Sequence, residues 1–85
     1  SRLVENFVGS GGGSAPSHPG IDALTEREIE VYRAMAQGLS NAEIADSLYL
    51  SEATVKTYVT RILARLQVRD RVQAVIIAFE SGLLR

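Results

Sequence analysis

Only Tyr49, Leu50 and Ser51 separate two stretches of strongly helical pattern, and a connection that short forces two helices to cross as an adjoining pair. The first stretch, NAEIADSL, follows Ser40 and carries Glu43, while the second, EATVKTYVTRILARL, follows Ser51. A serine in such a place accepts a bond from backbone N–H groups that a helix start leaves unpartnered, and a glutamate three residues later returns one. Ile44, Leu48, Leu50, Val55 and Tyr58 give the pair its apolar contacts, and Ala45 is small where the two helices approach. Such a pair suits packing on a third helix.

The same grammar extends in both directions. Thr25 with Glu28 forms a second capping box, with Leu24 and Ile29 placed as a hydrophobic staple like Leu39 and Ile44 around Ser40. Asp70 with Gln73 opens a last helix, and Gly38 and Gly82 stand where left-handed C-terminal caps are wanted. The signals predict helices over 26–37, 41–48, 52–67 and 71–81, with no strand candidate between them. The fold class is all-α, a four-helix (tetrahelical) helix-turn-helix domain over 24–85, preceded by a flexible tether. In residues 1–8, Leu3, Val4, Phe7 and Val8 share one side of a short helix, read as the end of an upstream linker helix. Residues 9–23 are read as a flexible Gly/Ser/Pro linker, because Gly and Ser favour coil and Pro16 and Pro19 stop a helix.

Composition removes several function classes. The chain has no cysteine, so no disulfide framework or thiolate metal site is expected, and no apolar run approaches the roughly 18 residues of a membrane span. A cytoplasmic domain is expected. With 85 residues it has room for one small core, and help from a partner chain is anticipated. The chain starts at Ser1 and its single methionine is Met35, which suggests a processed chain or a piece of a longer one. His18 has no second ligand at metal-binding spacing, and Ser10, Ser14 and Ser17 have no oriented acid beside that histidine, so neither a metal site nor an enzyme is expected. The glycine run lacks the GK[ST] end of a phosphate-binding loop. No cofactor is implied.

The net charge of −1 conceals a division along the chain. From Asp22 to Glu52 seven acids stand against two bases, Arg27 and Arg33; from Ala53 to Arg71 five bases (Lys56, Arg61, Arg65, Arg69, Arg71) stand against Asp70 alone. Wound at about 100° per residue, the third helix places Val55, Val59, Ile62, Leu63 and Leu66 on one face. Its opposite face carries Ala53, Thr57, Thr60 and Ala64, with Lys56 and Arg61 on the flanks. Small residues where a backbone comes close, with long donors beside them, suit a helix entering a DNA major groove about 12 Å wide. Ser51 and Thr54 add hydroxyls at the helix N-terminus, whose partial positive charge suits a phosphate.

The run from Leu24 to about Ala78, with LTERE, GLSNAEIA, LSEATVK and RDRVQAV as landmarks, resembles the C-terminal DNA-binding domain of the LuxR/FixJ/NarL family of bacterial transcription regulators. The resemblance implies sequence-specific binding to double-stranded DNA through the third helix and a homodimer through the fourth. Family DNA contacts carry over to Thr54, Lys56, Thr57, Thr60 and Arg61, with Arg65 as a phosphate contact. Tyr58 stands where histidine is frequent and Arg65 where lysine is frequent. The N-terminal segment is similar to the linker joining an upstream receiver domain to such an effector; other members carry sensor domains there. In the fourth helix, Val72, Val75, Ile76 and Phe79 are read as the core face, leaving Ala74, Ile77, Ala78 and Ser81 as the expected dimer surface. The alternative is a helix-turn-helix protein-interaction module without specific DNA binding, which gains nothing from five clustered bases.

Overall fold

Five helices follow one another in the computed structural model, which describes residues 18–83: α1 (Pro19–Asp22), α2 (Glu26–Ala36), α3 (Asn41–Leu48), α4 (Glu52–Leu66) and α5 (Arg71–Glu80). Helices α2 to α5 are the four expected ones, each within one residue of its expected bounds, and no strand occurs among the described residues. The proposed linker helix over 1–8 and most of the tether lie outside the described residues.

Caps explain why the chain breaks where it does. The Thr25 hydroxyl accepts from the Glu28 amide at 3.2 Å while Glu28 Oε1 accepts from the Thr25 amide at 2.9 Å. Ser40 and Glu43 repeat the exchange at 3.2 and 2.8 Å. Ser51 and Asp70 each accept from the amide three residues on. At the other ends, the amides of Leu39, Leu50, Val68 and Leu83 reach back to the carbonyls of Ala34, Ala45, Leu63 and Ala78, the bond that a left-handed residue makes possible at a helix end. That residue is Gly38 or Gly82 in α2 and α5, but Tyr49 and Gln67, both at φ 58°, in α3 and α4. A side chain in this conformation costs about 1–2 kcal/mol. The apolar residue that follows each of the four compensates by turning onto the core, where Leu39, Leu50, Val68 and Leu83 are all partly buried.

Val31, Tyr32 and Met35 of α2, Ile44 of α3, Val55, Ile62 and Leu66 of α4, and Ala74 and Ala78 of α5 form the buried centre. Helix α2 packs against α3, α4 and α5, and α3 crosses α4 through the three-residue turn. Two polar clamps lock this arrangement. The Tyr32 hydroxyl donates to the Ala74 carbonyl at 2.6 Å inside the core. Arg71 donates to Asn41 Oδ1 and to the Leu39 carbonyl, both at 2.6 Å, tying the start of α5 to the α2–α3 turn.

Two expectations are corrected. The fourth helix is turned the other way: Ala74 and Ala78 are fully buried and Ile77 and Ser81 partly so, whereas Val72, Ile76 and Phe79 are 67, 50 and 57% exposed. Helix α5 is apolar nearly all round, so periodicity does not choose its face. The small residues turn inward, Ala74 and Ala78 being fully buried, and the Tyr32 hydroxyl bonds the Ala74 carbonyl on that side. The second correction concerns the linker over 9–23, whose last part folds as α1. His18 Nδ1 caps it by accepting from the Gly20 amide at 2.9 Å, and Pro19 occupies the first turn, where its missing N–H costs nothing. Gly20 is buried against the C-terminal end of α4, and Ile21 packs on the core.

Candidate nucleic-acid interface

Helix α4 is held on one side and open on the other. Val55, Ile62 and Leu66 are at most 2% exposed, and Tyr58, Val59 and Leu63 are half-buried beside them. Ser51, Ala53, Thr54, Lys56, Thr57, Thr60, Arg61 and Arg65 are all exposed, so the eight residues singled out from the sequence do share a solvent-facing surface, running from the helix cap to its last turn.

The polar atoms on that surface are partly committed. Ser51 Oγ accepts from the Thr54 amide at 3.1 Å and donates to Thr54 Oγ1 at 2.9 Å, so its hydroxyl proton serves the cap and the Thr54 proton is the one left to offer. The hydroxyls of Thr57 and Thr60 donate to the carbonyls of Ala53 and Lys56, at 3.1 and 3.0 Å. Back-bonding of this kind fixes each hydroxyl against the helix and leaves its oxygen able only to accept from outside. The first helical bond belongs to the Val55 amide, which leaves the Glu52 and Ala53 N–H groups without an intrahelical acceptor.

The cations sort into two kinds. Lys56 and Arg61 are exposed and, among the described residues, have no ion-pair partner. Arg71 is spent on the clamp to α3. Arg65 sits between the two: its Nε lies 3.2 Å from Oε1 of Glu28, whose side chain is 3% exposed, while its own side chain remains 42% exposed. The sequence placed Glu28 in a capping box but gave no sign that it would also meet Arg65, since the two are brought together only by the packing of α2 on α4. Arg27 is likewise occupied, donating to Glu30 at 2.6 Å and to the Leu48 carbonyl at the end of α3 at 3.0 Å.

Chemically the face offers two cations without an ion-pair partner among the described residues, back-bonded threonine acceptors and methyls, and a helix N-terminus. Among the described residues there is no group of three or more metal-ligating side chains, and no helix is long and apolar enough to cross a membrane. A second surface stands apart from this one: Val72, Val75, Ile76 and Phe79 line a shallow apolar groove with Met35 and Leu39.

Residues 22–78 match the family described as bacterial regulatory proteins, luxR family. The chain is 47% identical over 64 residues to the uncharacterized transcriptional regulatory protein YxjL of Bacillus subtilis, covering 75% of this chain and 29% of that protein. It is 48% identical over 64 residues to the response regulator protein VraR of Staphylococcus aureus, covering 75% of this chain and 31% of that protein, and the same figures hold for VraR of Staphylococcus epidermidis. The chain thus spans about three-tenths of the length of these curated relatives.

Proposed function

Since the chain belongs to the luxR family of bacterial regulatory proteins, we propose that it is the DNA-binding effector part of a transcription regulator, with α4 lying in the major groove of double-stranded DNA. The observation that carries this reading is the open face of α4, where small residues are flanked by the exposed Lys56 and Arg61. From Thr54 to Arg61 the helix advances by about 10 Å at roughly 1.5 Å per residue, enough to pass about three base pairs. Lys56 donates to a base edge near the N-terminal end, Thr57 and Thr60 turn methyls toward thymine, and Arg61 reaches base or backbone further along. Ser51 and Thr54, with the free amides of Glu52 and Ala53, sit at a phosphate on the groove's rim.

A second copy of the chain is the partner we assign to the groove on α5. Val72, Ile76 and Phe79 expose apolar surface, and a two-fold contact there would set two α4 helices on related half-sites. Ile76→Glu is expected to leave folding unchanged and to weaken binding to a duplex with two half-sites, while binding to one half-site stays as it was. Relatives named as response regulators support a receiver upstream of the tether and a place in the bacterial cytoplasm.

The test is selection from a pool of randomised duplexes. The unaltered chain should enrich one sequence, and Lys56→Ala should lower affinity for it by about 1–3 kcal/mol while relaxing preference at one position. Failure to enrich any sequence, with folding intact, would favour the protein-interaction reading.

A further inference from the structure

The buried carboxylate of Glu28 is more than half of a capping box. Its Oε1 accepts from the Thr25 amide at 2.9 Å and also lies 3.2 Å from Nε of Arg65, an ion pair between α2 and α4. The Glu28 side chain is 3% exposed and sits on α2, which packs against α4. Arg65 follows Thr57 and Arg61 at steps of four, so it continues the same row along that face. Its backbone is pinned as well, because Gly20 of α1 packs directly on the Arg65 carbonyl.

An arginine has five donors in a planar fork. The ion pair brings the Nε edge to Glu28 and leaves the Nη groups, which among the described residues no acceptor takes. A free arginine at the end of a helix would surrender much side-chain freedom on gripping a phosphate. One whose position is already restrained by an ion pair gives up less. The anion beside it also partly cancels its field, so what Glu28 supplies is geometry rather than charge.

Resting on the DNA-binding reading above, we propose that Glu28 is a positioning residue for DNA binding, orienting the guanidinium of Arg65 so that its Nη edge takes a backbone phosphate beside the groove.

Duplex affinity of the full chain, measured over a range of salt concentrations, tests this with Arg65→Ala, Glu28→Gln, the double variant and Arg65→Lys, each checked for its thermal unfolding. Glutamine keeps an acceptor for the Thr25 amide but removes the charged partner of Nε. Arg65→Ala should lose on the order of tenfold in affinity, as expected for a charge-assisted contact, and its log–log salt slope should shrink by about 0.9, the value of one phosphate. Glu28→Gln should lose several-fold and shrink the slope in the same direction, although its own charge change favours DNA, and the double variant should bind no worse than Arg65→Ala. Arg65→Lys keeps the charge and has a single ammonium for two acceptors, so it should bind more weakly than the unaltered chain. Unchanged or tighter binding by Glu28→Gln, losses that multiply in the double variant, or unaltered binding by Arg65→Lys would each overturn the proposal. If Glu28→Gln does not fold, Arg65→Lys decides alone. No duplex binding by the unaltered chain would overturn the DNA-binding reading together with this one.

Discussion

Tyr32→Ala is expected to remove about 3–5 kcal/mol of stability, the usual cost of deleting a large buried aromatic ring. That is a large share of the reserve of a domain this small, on the order of 5–10 kcal/mol, so circular dichroism should show the variant unfolding at a much lower temperature and urea concentration than the unaltered chain. Tyr32 is fully buried where α2 meets α5, and its hydroxyl donates to the Ala74 carbonyl at 2.6 Å. Tyr32→Phe separates ring from hydroxyl and should cost only about 0.5–1.5 kcal/mol. The pair also differs in its response to alkali. Burial pushes the Tyr32 phenol from 10.0 up to about 12, so the folded state favours the neutral form. This contribution is fully present below pH 10 and is lost as pH rises through about 12. Urea midpoints recorded between pH 9 and 12 should therefore fall more steeply for the unaltered chain than for Tyr32→Phe.

Gly20→Val should be the most damaging change outside the core helices. A Cβ on Gly20 would lie 2.3 Å from the Arg65 carbonyl oxygen and 2.9 Å from Leu66 Cα, and these are backbone atoms that cannot rotate aside. Either α1 leaves its seat or the end of α4 shifts, at a cost of about 1–3 kcal/mol. Release of α1 is the expected outcome, because it is a single turn while α4 is anchored by Ile62 and Leu66. Hydrogen exchange should then quicken at Ile21 to Leu24, with the middle of α4 still protected. Retained protection at Ile21, with unchanged stability, would show that α1 does not pack on α4 as described.

The helix starts were legible because each depends on two or three adjacent residues: Thr25 with Glu28, Ser40 with Glu43, Ser51, and Asp70. The stops at Tyr49 and Gln67 were harder, since neither is glycine, although Leu50 and Val68 behind them carry the apolar signal that marks the cap. Helix α1 is hidden in the sequence because Pro19 and Gly20 read as breakers. In place, proline begins the turn and glycine is what lets α1 touch the backbone of α4. The open face of α4 could be read from its periodicity, which contrasts one set of apolar residues with one set of small and charged ones. That contrast is missing from α5, and its orientation was settled by a long-range fit between Tyr32 and Ala74. Charged residues were the least legible. Lys56, Arg61, Arg65 and Arg71 look alike in the chain, and only packing divides the exposed Lys56 and Arg61 from Arg65, ion-paired with Glu28, and Arg71, bonded to the α2–α3 turn.

The most direct test of α4 as the reading helix is a backbone amide map of the folded chain, recorded by nuclear magnetic resonance while a selected duplex is added. The largest shifts are expected at Ser51 to Thr57 and at Thr60, Arg61 and Arg65, with α2 and the exposed side of α3 little changed. A map with α4 unmoved and its shifts confined to Val72, Ile76 and Phe79, or to the acidic residues of α2, would contradict it.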